Sequence, residues 1–205
     1  THDLFLDLAT EMGFWIIARP GPYIMAETTN EGIPDWVFDH HPDCLFVTPH
    51  NPVWRFASYM HPDFRACVSR WYQGVFEVLT PRQVTRGGNI IMVQLDNEMG
   101  MLQWVTNHLD SNPDTLERFA AYLHTAHGSA LMERYGAAVT VDLLREGLID
   151  STAPHARQTV EDYRRFYRAY IRDYMSFLLD DARANGLEVP PVVNIHGFGN
   201  GGKTF

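Results

Sequence analysis

The sequence predicts an α/β fold built on a parallel sheet, and two observations carry that expectation. Short continuous apolar runs alternate with segments of helical periodicity, as strands covered by helices on both faces require. The turn after the first run holds two prolines, Arg19-Pro20-Gly21-Pro22, where a nucleotide-binding sheet would carry a glycine-rich loop. Two architectures alternate in this way, a doubly wound sheet and a (β/α)8 TIM barrel, and the missing glycine loop favours the barrel. A barrel takes about 250 residues and eight strands, whereas these 205 residues supply three. Residues 1–205 are therefore expected to form a partial barrel domain.

Leu4, Phe5, Leu8 and Met12 have helical spacing, and Gly13 stops that helix. Phe14-Trp15-Ile16-Ile17-Ala18 is too short for a buried helix and reads as the first strand. After a long irregular loop, Pro62 opens a helix with apolar positions Phe64, Cys67, Val68, Trp71, Val75 and Leu79, and Pro81 closes it. Gly87-Gly88 leads into a second strand, Ile90-Ile91-Met92-Val93-Gln94-Leu95. Helices near Asp114 to His124 and Val139 to Leu144 follow. A strong helix then begins at Thr159 and carries Val160, Tyr163, Phe166, Tyr167, Tyr170, Tyr174, Phe177 and Leu178 as far as Asn185-Gly186. The third strand is Pro191-Val192-Val193-Asn194-Ile195.

Composition narrows the function. With 45% hydrophobic and 20% charged residues, the chain has material for a core. A net charge of -9 argues against nucleic acid, whose binders show a basic stripe. The group from Arg164 to Arg172 reads as the wet face of a helix. Cys44 and Cys67 match neither a disulfide framework nor a zinc spacing, and the histidines have no repeated ligand spacing, so no metal is expected. No run of about 18 apolar residues exists, so no membrane-spanning helix is expected. The chain does not begin with Met, and its native start is expected upstream. Cytoplasmic and secreted locations both stay open.

In a barrel, chemistry gathers at the C-terminal ends of the strands. Here those ends run into Tyr23-Ile24-Met25-Ala26-Glu27, Gln94-Leu95-Asp96-Asn97-Glu98-Met99-Gly100 and Asn194-Ile195-His196-Gly197. Acids at two successive strand ends suit glycoside hydrolysis, which needs a protonated carboxyl for the leaving oxygen and a second carboxylate as nucleophile or base.

The stretch from Arg19 to Glu27, with Gly32-Ile33-Pro34-Asp35-Trp36, resembles the signature of glycoside hydrolase family 35. So does Gly87 to Gly100, with Asn97-Glu98 at its heart. That family consists mostly of retaining exo-β-galactosidases on a clan A barrel. The resemblance implies Glu98 as general acid/base and Asn97 as the partner of the sugar 2-hydroxyl. It implies Glu27, with the backbone around Met25 and Ala26, as the grip on the outer galactose hydroxyls. Tyr23 and Asn194 are further candidates for contact with terminal β-linked galactose. No cofactor is implied, since two carboxylates suffice. The chain would span barrel strands three to five. The nucleophile is expected beyond it, because Glu117, Glu133, Glu146 and Glu161 lie in helical patterns and Glu188 precedes its strand. Homo-oligomerisation through parts not present here stays open.

The sequence departs from the family pattern at Thr28, at Thr29-Asn30-Glu31, at Asp96 and at Met99. These departures border the sugar site and leave a β-glucosaminidase or β-glucosidase as an alternative, with a non-catalytic carbohydrate-binding remnant as another. Met132-Glu133-Arg134-Tyr135-Gly136 also resembles family 42, a clan relative. Asp96 should point away from Asn97. His196 reads as an ordinary hydrogen-bonding residue, and Tyr163 to Tyr174 as core.

Overall fold

A computed structural model describes residues 2–49 and 55–194. Among them, three parallel strands lie side by side in chain order: β1 (Ile16–Gly21), β2 (Ile90–Leu95) and β3 (Pro191–Val192). Ile16 sits opposite Ile90, Ala18 opposite Val93 and Gly21 opposite Leu95, while Gln94 faces Val192. The fold is thus mixed α/β around a parallel sheet. α1 (His2–Glu11) precedes β1, and α2 (Asp35–His40) and α3 (Pro62–Leu79) join β1 to β2. Five helices separate β2 from β3: α4 (Leu102–Thr106), α5 (Pro113–His127), α6 (Leu131–Tyr135), α7 (Val141–Ile149) and α8 (Ala156–Ala184). No helix among the described residues is long and apolar enough to cross a membrane.

Local chemistry sets the ends of these elements. α3 begins with Pro62 at a position that needs no N–H, behind a His61 cap that accepts from the Asp63 N–H. Pro81 falls just past its last turn, which tightens into a single 3-10 turn over Thr80–Arg82. Its buried face is Phe64, Cys67, Val68, Tyr72, Val75, Phe76 and Leu79. Trp71 was expected there and is not. At 100° per residue, Tyr72 takes the inward place, and Trp71 stays half exposed with its indole N–H on the Pro20 carbonyl at 2.7 Å.

α8 buries Tyr163, Phe166, Tyr167, Tyr170 and Tyr174 and turns Arg164, Arg165, Arg168 and Arg172 to solvent, as its periodicity predicts. These tyrosines pack against Phe119 of α5 and against Tyr59, with ring centroids 5.1 Å apart for Phe119–Tyr163 and 4.6 Å for Tyr59–Tyr174. Both cysteines are buried and free.

Two apolar segments differ from expectation. The first strand begins at Ile16, and Phe14, Trp15 and Ile17 are exposed, Trp15 to 70%. Leu4, Phe5 and Leu8 on α1 are exposed as well. β1 is the outer strand of the described sheet, so nothing described covers that side. The third strand ends at Val192, and the expected Ile195, His196 and Gly197 lie outside the described residues.

Candidate active site

The ends of the three strands meet at one cluster of polar side chains. The Asp96 N–H donates to the Gly21 carbonyl at 3.0 Å, which ties the end of β2 to the end of β1. Beyond that tie, Asp96 and Glu98 both adopt left-handed backbone, with φ of 62° and 48°. In the facing loop Met25, Glu27, Asn30 and Glu31 do the same. Each such residue costs roughly 1 kcal/mol relative to glycine, and strained backbone of this kind concentrates at functional sites.

Asn97 and Asn194 form the hub, and the direction of every bond in it is fixed. The Glu98 N–H donates to Asn194 Oδ1 at 3.0 Å, which leaves Asn194 Nδ2 to donate to Asn97 Oδ1 at 2.8 Å. Arg19, which can only donate, closes on the same Asn97 oxygen. Gln94 Nε2 reaches both amide oxygens, at 3.1 and 3.0 Å. Asn97 Nδ2 donates to the Ile24 carbonyl at 3.1 Å. The Asn97 oxygen is thereby occupied, and its amide keeps one N–H.

Asp96 is wholly buried. One oxygen accepts from the Asn97 N–H at 2.7 Å, and the Tyr174 hydroxyl and the Tyr23 backbone N–H also lie toward the carboxyl. Burial pushes its carboxyl up to about 7, against the lowering pull of the Asn97 N–H. Its charge in turn helps hold the buried phenols of Tyr23, Tyr59, Tyr72 and Tyr174 well above their usual range, chiefly through burial.

A cleft of about 330 Å³ opens over this cluster, walled by Arg19, Ile24, Met25, Ala26, Asp96 and Asn97. Glu27 is exposed and Glu98 half-buried. Of the expected residues, the fold brings Met25, Ala26, Asn97, Glu98 and Asn194 together. Tyr23 requires correction. It touches the cleft floor, but its ring is fully buried and its hydroxyl is shared between the Ala57 N–H (2.8 Å) and carbonyl (3.0 Å), so it offers nothing to a sugar. Two residues of the cluster were not singled out from sequence: Arg19 and Gln94. Gln94 carried a signal, being a polar residue inside an apolar strand three places before Asn97.

Glu117, Glu133, Glu146 and Glu161 are exposed on α5, α6, α7 and α8, and Glu188 is held by Arg86 and Thr85. Among the described residues no group of three His, Cys, Asp or Glu side chains is placed to hold a metal ion. A more apolar groove between Pro20, Pro34, Trp36 and Trp71 contains none of the acids.

Residues 2–143 match the glycosyl hydrolases family 35. The chain belongs to this family. Over 199 residues, 95% of its length, it is 32% identical to an exo-β-D-glucosaminidase of Thermococcus kodakarensis. Over 206 aligned positions it is 26% identical to a β-1,2-glucosyltransferase of Ignavibacterium album. It is also 35% identical to a β-galactosidase of Pongo abelii over 101 residues, 48% of the chain. The chain spans 22%, 28% and 13% of those three proteins. As a family 35 chain it carries Asn97-Glu98 at the end of its second strand.

Proposed function

We propose that this chain supplies the acid/base side of a retaining exo-β-galactosidase, as part of a (β/α)8 barrel over residues 1–205. Glu98 protonates the glycosidic oxygen as that bond breaks and then takes a proton from the water that releases the sugar from a nucleophilic Glu outside these residues. Glu27 grips the outer hydroxyls, with Met25 and Ala26 shaping the wall. Asn194 holds the Glu98 backbone and Asn97 binds the 2-hydroxyl.

The observation that carries this reading is the fixed direction of the asparagine hub. Asn97 has one N–H to give and no oxygen to receive, so the group at carbon 2 of the sugar must accept a hydrogen bond. A hydroxyl does, whereas a protonated 2-amine cannot. The second reading, a β-glucosaminidase, is supported by the relative matched over 95% of the chain.

The test is Glu98→Gln in the protein that carries this chain, assayed on aryl β-galactosides. Turnover of substrates with poor leaving groups should fall by about 10³-fold and that of activated dinitrophenyl glycosides far less. Equal losses on both would refute the acid role. Sugar binding without turnover in the unsubstituted protein would favour a non-catalytic remnant, and faster cleavage of aryl β-glucosaminides would favour the second reading.

A further inference from the structure

We propose that Gln94 is a positioning residue for the reaction, holding the Asn97 side chain in the pose from which its remaining N–H reaches the sugar 2-hydroxyl. This rests on the reading of Asn97 as the partner of that hydroxyl. Gln94 is not part of the cleft wall, so it acts on the sugar only through Asn97.

Its amide nitrogen lies within hydrogen-bond distance of three acceptors: the Asp96 carbonyl at 3.0 Å, Asn97 Oδ1 at 3.1 Å and Asn194 Oδ1 at 3.0 Å. Among the described residues no other side chain donates to both asparagines. Gln94 stands on β2, and Asn194 lies two residues past the end of β3, so this one amide ties two strand ends to the residue between them. Val93 and Leu95 on either side of it are buried apolar residues. A polar amide in such a strand opposes folding unless it finds partners, and here the partners are the two asparagines.

The pose of Asn97 follows from planarity. An amide whose oxygen and one N–H are both held has its second N–H direction set as well. The Ile24 carbonyl holds one N–H, while Gln94, Asn194 and Arg19 hold the oxygen. Gln94 enters this set twice, once by its own bond and once by steadying Asn194. Methionine at position 94 would match its length and donate nothing, loosening both asparagines together. Hydrogen bonds to the 2-hydroxyl strengthen in the transition state, so a misplaced Asn97 N–H lowers kcat more than it raises KM.

The experiment measures kcat and KM of Gln94→Met and of the unsubstituted protein that carries this chain, on nitrophenyl β-galactoside and its 2-deoxy counterpart. Gln94→Met should cut the ratio of the two kcat values, galactoside over 2-deoxygalactoside, by about threefold or more, since only the first substrate carries the hydroxyl. The ratio comes from one preparation and does not depend on how much of the variant has folded. Gln94→Asn leaves the amide one methylene short and should shift the ratio the same way if Gln94→Met is insoluble. A smaller shift overturns the proposal, and so do equal losses on both substrates, which mark general damage to the fold. An unsubstituted protein that cleaves neither substrate, or both equally well, overturns it together with the Asn97 reading. Both substrates carry the same leaving group, so a failed Glu98 acid role would show in leaving-group dependence and not in this ratio.

Discussion

Replacing Asp96 with asparagine should stabilise the protein, and increasingly so as pH rises. Its carboxyl is raised from 3.8 to about 7, so the folded state holds a proton that the unfolded chain releases. The favourable term is complete below about pH 4 and is lost as pH climbs through 7. A shift of about 3 units corresponds to roughly 4 kcal/mol of penalty at pH 8, and linkage places roughly 2.5 kcal/mol of it between pH 5 and pH 8. Asparagine keeps an oxygen for the Asn97 N–H and presents an amide to the Tyr174 hydroxyl. The assay is urea unfolding of both proteins across pH 5 to 8, with the difference in unfolding free energy plotted against pH. A difference that does not change with pH, or an asparagine variant less stable at pH 8, would refute the buried-ionisation argument.

Other substitutions test separate parts of the fold. Tyr23→Phe strips both bonds to Ala57 and should cost about 2 kcal/mol while leaving sugar affinity within twofold, measured by melting and titration. Asp162 is held low by Arg134 against its own burial, with bonds of 2.8 and 2.6 Å. Asp162→Asn should therefore cost about 2 kcal/mol at pH 7, below the fully buried range because Arg134 keeps 27% exposure. That deficit should close as pH falls through the low folded value of Asp162, which melting curves from pH 7 to 3 would record. Gly88→Ala places a Cβ 2.0 Å from the Arg82 carbonyl oxygen and should prevent soluble folding, whereas Gly87→Ala meets open space and should cost about 1 kcal/mol. Comparing soluble yields of the pair checks both.

The strands and long helices were readable because burial leaves a period in the sequence. Ile90 to Leu95 and the tyrosine face of α8 appear where their apolar spacing puts them. The Asn97-Glu98 motif was readable as a motif. What stood hidden was the wiring around it: Arg19 and Gln94 act through contacts 78 and 3 residues away in the chain, and no local pattern announces such pairings. Tyr23 misled because its position next to the turn says nothing about which way its ring points. Trp71 misled because two aromatic residues compete for one helical face, and packing decides between them. Glu31 lay in a run that stood out only as a departure from the family pattern; its burial and its left-handed backbone are properties of the folded loop alone.

The bare outer side of β1 has a practical meaning for anyone producing this segment. Trp15 and Ile17 stand beside unpaired strand backbone, and Leu4, Phe5 and Leu8 extend the same greasy surface along α1. A strand edge of this kind recruits other strands. Expressed by itself, the 205-residue chain should self-associate in proportion to its concentration. Lysine at positions 15 and 17 would keep it dispersed without touching the asparagine hub, giving a soluble reagent in which that hub can be studied by NMR.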